Sequence, residues 1–133
     1  MKVLFVCQGN AHRSALAEAL LKNLRPDWSV DSAGVRIAIP VSEHVREYLK
    51  KEGAEKHLKR VPESLDSKRL EEYDIIVAME QRHKGAVLEK CSACRSKVVV
   101  WGIEDPYFLQ GDAEKNVYDQ IKARTEELAR SKR

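Results

Sequence analysis

In the stretch Lys2-Val3-Leu4-Phe5-Val6-Cys7-Gln8-Gly9-Asn10-Ala11-His12-Arg13-Ser14-Ala15-Leu16-Ala17-Glu18-Ala19-Leu20-Leu21-Lys22-Asn23-Leu24, the hydrophobic period changes once. Val3 to Val6 is a continuous apolar, partly β-branched run, the pattern of a strand covered on both faces. From Ser14 onward Leu16, Leu20, Leu21 and Leu24 recur at helical spacing, and Pro26 stands just past the end. The stretch therefore reads strand, polar loop, helix. In a parallel sheet such a loop lies beyond the carboxyl end of the strand, where ligands bind.

The same alternation continues outward. Asp27 to Asp31 reads as a short second strand, ending in Ser32-Ala33-Gly34, where the glycine permits a turn. A helix over Glu43 to Lys51 puts Val45, Tyr48 and Leu49 on one face, with Gly53 as its stop. Tyr73 to Met79 is a second buried strand and Gln81 to Glu89 a helix. Lys97 to Trp101 is the last strand, and Ala113 to Arg130 a closing helix with Val117, Ile121 and Leu128 facing inward. Strands alternating with helices predict a mostly parallel α/β sheet covered on both faces. No repeat, low-complexity run or linker interrupts it, so 1–133 reads as a single domain.

Composition narrows the function classes. The 133 residues are 43% hydrophobic and 34% charged, a globular balance that argues against disorder. The net charge of +3 is small and its cations are interspersed with acids, which gives no footprint for nucleic acid. The apolar run at the N-terminus is too short for a signal-peptide core or a membrane span. Three cysteines, an odd number, fit a reducing compartment. The expectation is a cytoplasmic monomer without membrane or nucleic-acid partners and without a cofactor.

The loop carries the chemistry. Its backbone N–H groups and the following helix N-terminus suit an anion, and Gly9 supplies the flexibility that such a turn needs. Donors that hold an oxyanion also favour a sulfur anion, so Cys7 is the candidate nucleophile. Six residues on, Arg13 offers a planar fork for two phosphoryl oxygens. Ser14 can reach the sulfur or cap the helix, and Asn10 can tie the loop through its amide. Cys7 alone could be a small buried residue, and Arg13 alone a solvated one; a cation at a helix start opposes the dipole, so a bound anion makes better sense of it. Thiolate attack on a phosphate ester needs a general acid for the leaving oxygen. Asp105, in Glu104-Asp105-Pro106-Tyr107 just after the last strand, falls on the same rim, although Asp-Pro is also a common turn signal.

Val6 to Ser14, Ala17-Glu18, Ser32-Ala33-Gly34, Tyr73-Asp74 to Met79 and Asp105-Pro106-Tyr107 together resemble low-molecular-weight protein tyrosine phosphatases over almost the whole chain. The resemblance implies a flavodoxin-like three-layer sandwich of about four parallel strands and metal-free, two-step hydrolysis. Cys7 would form a phosphocysteine, Arg13 would clamp the phosphoryl group, and Asp105 would donate a proton and then activate water. Gln8, Gly9, Asn10, Ala11, His12 and Ser14 would complete the phosphate-binding loop, and Tyr107 and Phe108 would line one wall of the cleft. The substrate implied is a phosphotyrosine protein or a small aryl phosphate. Two departures stand out: His12 occupies a place where the family commonly has a second cysteine, and Val35-Arg36-Ile37-Ala38-Ile39-Pro40 lacks the aromatic that often forms the opposite wall.

Related arsenate reductases are similar at Trp101 to Pro106 and relay oxidation through two further cysteines. Cys91 and Cys94 do not match that pair in spacing or place, and Glu80 stands roughly where the first would be expected. A structural zinc needs about four ligands, so Cys91-Ser92-Ala93-Cys94 reads as a local turn. An oxyanion-binding module without turnover is a further alternative, opposed by the presence of Cys7, Arg13 and Asp105 together.

Overall fold

Branched and apolar runs pair as one parallel sheet in the computed structural model, which describes residues 1–131. The strands are β1 (Lys2–Cys7), β2 (Ser29–Gly34), β3 (Ile75–Ala78) and β4 (Val98–Val100), ordered β2-β1-β3-β4. The register pairs Cys7 with Gly34 and Val6 with Ala78, and Ala78 with Val100. The carboxyl ends of all four strands therefore finish along one edge. Four helices alternate with them: α1 (Arg13–Leu24), α2 (Glu43–Glu52), α3 (Gln81–Lys90) and α4 (Gly111–Ser131).

The period of two along β1 divides the core. Val3, Phe5 and Cys7 face a layer that includes residues of α1, α2 and α4, while Leu4 and Val6 face one built from α3 and the 3-10 turns around Leu65 and Leu70. The result is a flavodoxin-like three-layer sandwich. α1 is buried nearly all round from Arg13 to Leu21, as expected of a helix packed between a sheet and other helices. Truncating a buried leucine there to alanine costs about 2–5 kcal/mol, which anchors the helix that presents Arg13. Leu24, at its end, is exposed instead. On α4, Val117, Ile121, Thr125 and Ala129 form the buried stripe at steps of four. The Thr125 hydroxyl donates to the Ile121 carbonyl, which satisfies it inside apolar surroundings. Leu128 is only partly buried against this stripe.

The local signals explain the ends of α2. Ser42 Oγ accepts from the N–H groups of His44 and Val45, and Gly53, at φ 71°, closes the helix in the left-handed region. The second strand departs from expectation: it begins at Ser29 and runs through Ser32-Ala33-Gly34 rather than ending before them. Pairing with β1 overrides the weak strand preference of these small residues. Gly34 is needed for close approach, not for a turn, because a Cβ there would lie 2.7 Å from the Gly9 carbonyl carbon and 2.8 Å from the Asn10 nitrogen. Among the described residues no helix is long and apolar enough to cross a membrane.

Candidate active site

At the end of β1 the chain leaves the sheet and wraps around the sulfur of Cys7. The Asn10 N–H donates to Sγ at 3.3 Å, and Ser14 Oγ lies 3.0 Å from it. Ser14 thus reaches the sulfur, and its side chain does not cap α1. The left-handed residue of the loop is Asn10, at φ 55°, and not Gly9, to which the turn was assigned from sequence. Asn10 tolerates that conformation because its amide is completely used. Nδ2 donates to Ser14 Oγ (2.8 Å) and Ser32 Oγ (2.9 Å), while Oδ1 accepts from the Glu63 N–H (2.8 Å) and Lys59 Nζ (2.9 Å).

Behind Asn10 lies a buried polar cluster. Lys59 Nζ also donates to the Ser32 carbonyl at 2.9 Å and to Glu63 Oε1 at 2.6 Å, with Glu18 and Asp31 within 4 Å. Ser32 Oγ donates to Glu18 Oε1 at 2.5 Å, and Lys22 holds the other oxygen of Glu18. Burial would raise the Glu63 carboxyl, but the hydrogen bond and charge of Lys59, with the charge of Lys68, hold it below its ordinary range.

Arg13 is buried and aimed across the same edge. Its Nη1 donates to Glu80 Oε2 at 2.5 Å and to the Ile103 carbonyl at 2.7 Å, and its Nη2 lies 3.8 Å from Asp105 Oδ2. For Glu80, burial acts to raise the carboxyl; hydrogen bonds from Arg13 and Arg82 outweigh it and hold the group below its ordinary range. The Glu80 N–H in turn donates to Nδ1 of the buried His83. Burial, with the charge of Arg13, pushes His83 down to about 4, so its ring is neutral near pH 7 with the proton on Nε2. His12 is also lowered, chiefly by burial.

Asp105 sits in a tight turn: its Oδ1 accepts from the Tyr107 N–H at 2.9 Å, across Pro106. Cys7, Gln8, Gly9, Ala11, His12 and Arg13 form the floor of a cavity of about 240 Å³. Asp105 and Tyr107 make one wall, and Arg36, Ala38 and Ile39 the other. The His12 and Tyr107 rings meet edge to face at 6.3 Å. Phe108 is 90% exposed and stacks edge-on against Tyr107 outside the cavity, so of the two aromatics only Tyr107 lines it. A larger groove of about 670 Å³ runs between α2 and α4, but none of the loop residues reaches it.

Cys91 and Cys94 lie elsewhere. They follow the carboxyl end of α3, which runs back from the edge that carries Cys7, at about 1.5 Å per residue over its ten residues. Their sulfurs are joined as a disulfide, correcting the expectation of a plain local turn. The 3-10 turn between them brings their Cα atoms to 5.4 Å, inside bridging range. Neither a zinc pair nor a relay at Cys7 follows from this placement.

Sequence reading passed over Lys59, Glu63, Ser32, Glu18 and Glu80 as contributors to the site. Glu80 was detectable, since it comes two residues after β3 and hence on the ligand edge. Lys59 left no signal, because it lies in an irregular segment 49 residues from Asn10.

A model of the family "Low molecular weight phosphotyrosine protein phosphatase" matches residues 2–133. The low molecular weight protein-tyrosine-phosphatase Wzb of Salmonella typhi is 32% identical over 142 residues, covering 98% of this chain and 93% of its own. Among solved structures, Vibrio vulnificus Wzb in complex with benzylphosphonate superposes with a TM-score of 0.87 at 27% identity, covering 98% of each chain. The YwlE arginine phosphatase from Geobacillus stearothermophilus superposes with a TM-score of 0.86 at 27% identity, covering 98% of this chain and 91% of that one.

Proposed function

The chain belongs to the low molecular weight phosphotyrosine protein phosphatase family, and from that premise we propose that Cys7, Arg13 and Asp105 hydrolyse phosphotyrosine through a phosphocysteine. The observation that carries this reading is the convergence of three groups on one cavity: a sulfur facing the Asn10 N–H, a buried guanidinium and, 3.8 Å from that guanidinium, the Asp105 carboxyl on the adjoining wall.

Cys7 Sγ attacks phosphorus, and the S–P bond forms as the P–O bond to the phenol breaks. The developing phenoxide takes a proton from Asp105. Arg13 and the loop N–H groups hold the equatorial oxygens as their charge redistributes. In the second step Asp105 takes a proton from water as the water oxygen attacks phosphorus. The S–P bond breaks, and Cys7 and inorganic phosphate are released.

Glu80 and the Ile103 carbonyl fix one edge of Arg13, which leaves the rest of its fork for phosphate. Asn10 and Ser14 hold the loop around the sulfur. The phenyl ring of a phosphotyrosine has Tyr107 and Ile39 to pack against. A phosphoarginine, the kind of substrate implied by the name of the Geobacillus arginine phosphatase, would bring a guanidinium into a cavity that already holds Arg36. That like-charge approach favours the aryl ester.

The test is hydrolysis of p-nitrophenyl phosphate and of phosphotyrosine and phosphoarginine peptides, with chelator and reductant present, by the wild type and Cys7→Ser. Turnover of the aryl esters, lost in Cys7→Ser, is expected. Faster turnover of phosphoarginine than of phosphotyrosine would overturn the substrate assignment, and full activity in Cys7→Ser would overturn the nucleophile.

A further inference from the structure

Among the described residues, the arginines around the cavity are committed to partners, with one exception. Arg13 is held by Glu80, the Ile103 carbonyl and Asp105, and Arg82 by Glu80. Arg36 lines the cavity wall, is exposed, and has no carboxylate within ion-pair distance among the described residues. Its backbone is nevertheless fixed: its N–H donates to the Gln8 carbonyl at 2.8 Å, and the Val35 N–H donates to the Cys7 carbonyl at 3.1 Å. A Cβ on Gly9 would meet the Arg36 carbonyl oxygen at 3.8 Å, so this strand of backbone rides directly over the phosphate loop. The guanidinium thus springs from a rigid point at the rim while its tip is free to meet a ligand.

The surroundings of that tip have a definite chemistry. Ala38 and Ile39 share the Arg36 wall of the cavity, Tyr107 faces them from the other wall, and Phe108 stands exposed just outside. The mouth therefore combines apolar side chains with the Arg36 charge on one wall, while the Asp105 carboxyl on the other is engaged by Arg13. A phosphate buried on the floor is served by Arg13 and the loop, so Arg36 is placed for a second anionic group that enters with the substrate but remains at the rim.

We propose that Arg36 is a specificity-determining residue that reads an aspartate or glutamate beside the phosphotyrosine of an extended polypeptide substrate. The proposal rests on the phosphotyrosine reading above and adds the neighbouring sequence that the site selects. An exposed guanidinium and carboxylate attract one another modestly, and a lysine in the same place is repelled, so discrimination takes the form of a ratio between substrates. The ratio shrinks as salt screens the pair.

The experiment measures kcat/KM for two phosphotyrosine peptides of equal length, one flanked by glutamates and one by lysines, at low and high salt. The expected wild-type preference for the acidic peptide is about two- to fivefold for each charge read, falling with salt. Arg36→Ala brings the ratio close to one, Arg36→Lys retains most of it, and Arg36→Glu inverts it. Inversion by a single charge reversal is a signature that a merely structural role for Arg36 would not produce. An equal preference in the wild type and Arg36→Ala, or none in the wild type, overturns the proposal. Wild-type turnover of p-nitrophenyl phosphate, measured alongside, separates that outcome from failure of the phosphatase reading itself.

Discussion

Replacing Lys59 by methionine keeps most of the stem and removes the ammonium from a site where it is 8% exposed. Three hydrogen bonds vanish, to Asn10 Oδ1, the Ser32 carbonyl and Glu63 Oε1. Losing one partner of a buried ion pair costs about 3–5 kcal/mol, and each hydrogen bond to a charged group about 1.5–3 kcal/mol. The acids are not stranded, however, because Lys22 still holds Glu18 and Lys68 still holds both Asp31 and Glu63. Asn10 Oδ1 also keeps the Glu63 N–H. The net loss should therefore fall at about 2–4 kcal/mol, which corresponds to a melting temperature lower by roughly 10 °C for a chain of this size.

The same change should loosen Asn10, and with it the N–H that faces Cys7. Urea unfolding reports the first effect. The second is read from p-nitrophenyl phosphate kinetics well below the unfolding midpoint, where kcat should drop more than tenfold while the protein remains folded. Lys59→Arg should recover part of both. A loss of stability under about 0.5 kcal/mol together with unchanged kcat would refute the claim that Lys59 supports the loop.

Asp105→Asn should slow esters of poorly acidic phenols far more than p-nitrophenyl phosphate, because a good leaving group needs little proton donation; equal losses across a leaving-group series would assign the acid elsewhere. Glu80→Gln weakens the bond that orients Arg13, and kcat/KM for aryl phosphates should fall about 10- to 100-fold, in line with one charge-assisted hydrogen bond; a change below twofold would show that the Ile103 carbonyl alone suffices. His83 is held at about 4 against an ordinary 6.5, so between those values the unfolded chain binds a proton that the folded chain does not. Its contribution is whole above 6.5 and is lost as pH falls toward 4, at up to about 1.4 kcal/mol per pH unit. His83→Gln should flatten that slope in urea midpoints measured from pH 7 to 4, and an unaltered slope would exclude His83 as its source.

The strand, loop and helix at the N-terminus were legible because burial on both faces and the 3.6-residue period act through near neighbours. The edge rule for parallel sheets then carried Asp105 onto the rim of Cys7 across almost a hundred residues. The second strand was misplaced for the converse reason. Ser32, Ala33 and Gly34 have little intrinsic preference for a strand, and only pairing with β1 holds them there. Gly9 drew attention as a flexible residue, yet the backbone strain went to Asn10, which meets it with four hydrogen bonds to residues as far away as Glu63. Contacts of that kind depend on where an irregular segment lands in space. Nothing in the local pattern around Lys59 encodes them. The bridge between Cys91 and Cys94 was similarly invisible, because two residues of spacing do not reveal whether the intervening turn is tight enough for the sulfurs to meet.

That bridge makes the active site countable. With Cys91 and Cys94 bonded to each other, Cys7 is the one free thiol of the described chain. Thiol titration without reductant, performed on protein opened by denaturant, should return one equivalent per chain. The same titration on native protein then measures the accessible fraction of nucleophiles. A denatured count below one per chain marks molecules whose Cys7 is already oxidised or blocked, and turnover divided by that count is the rate per working site.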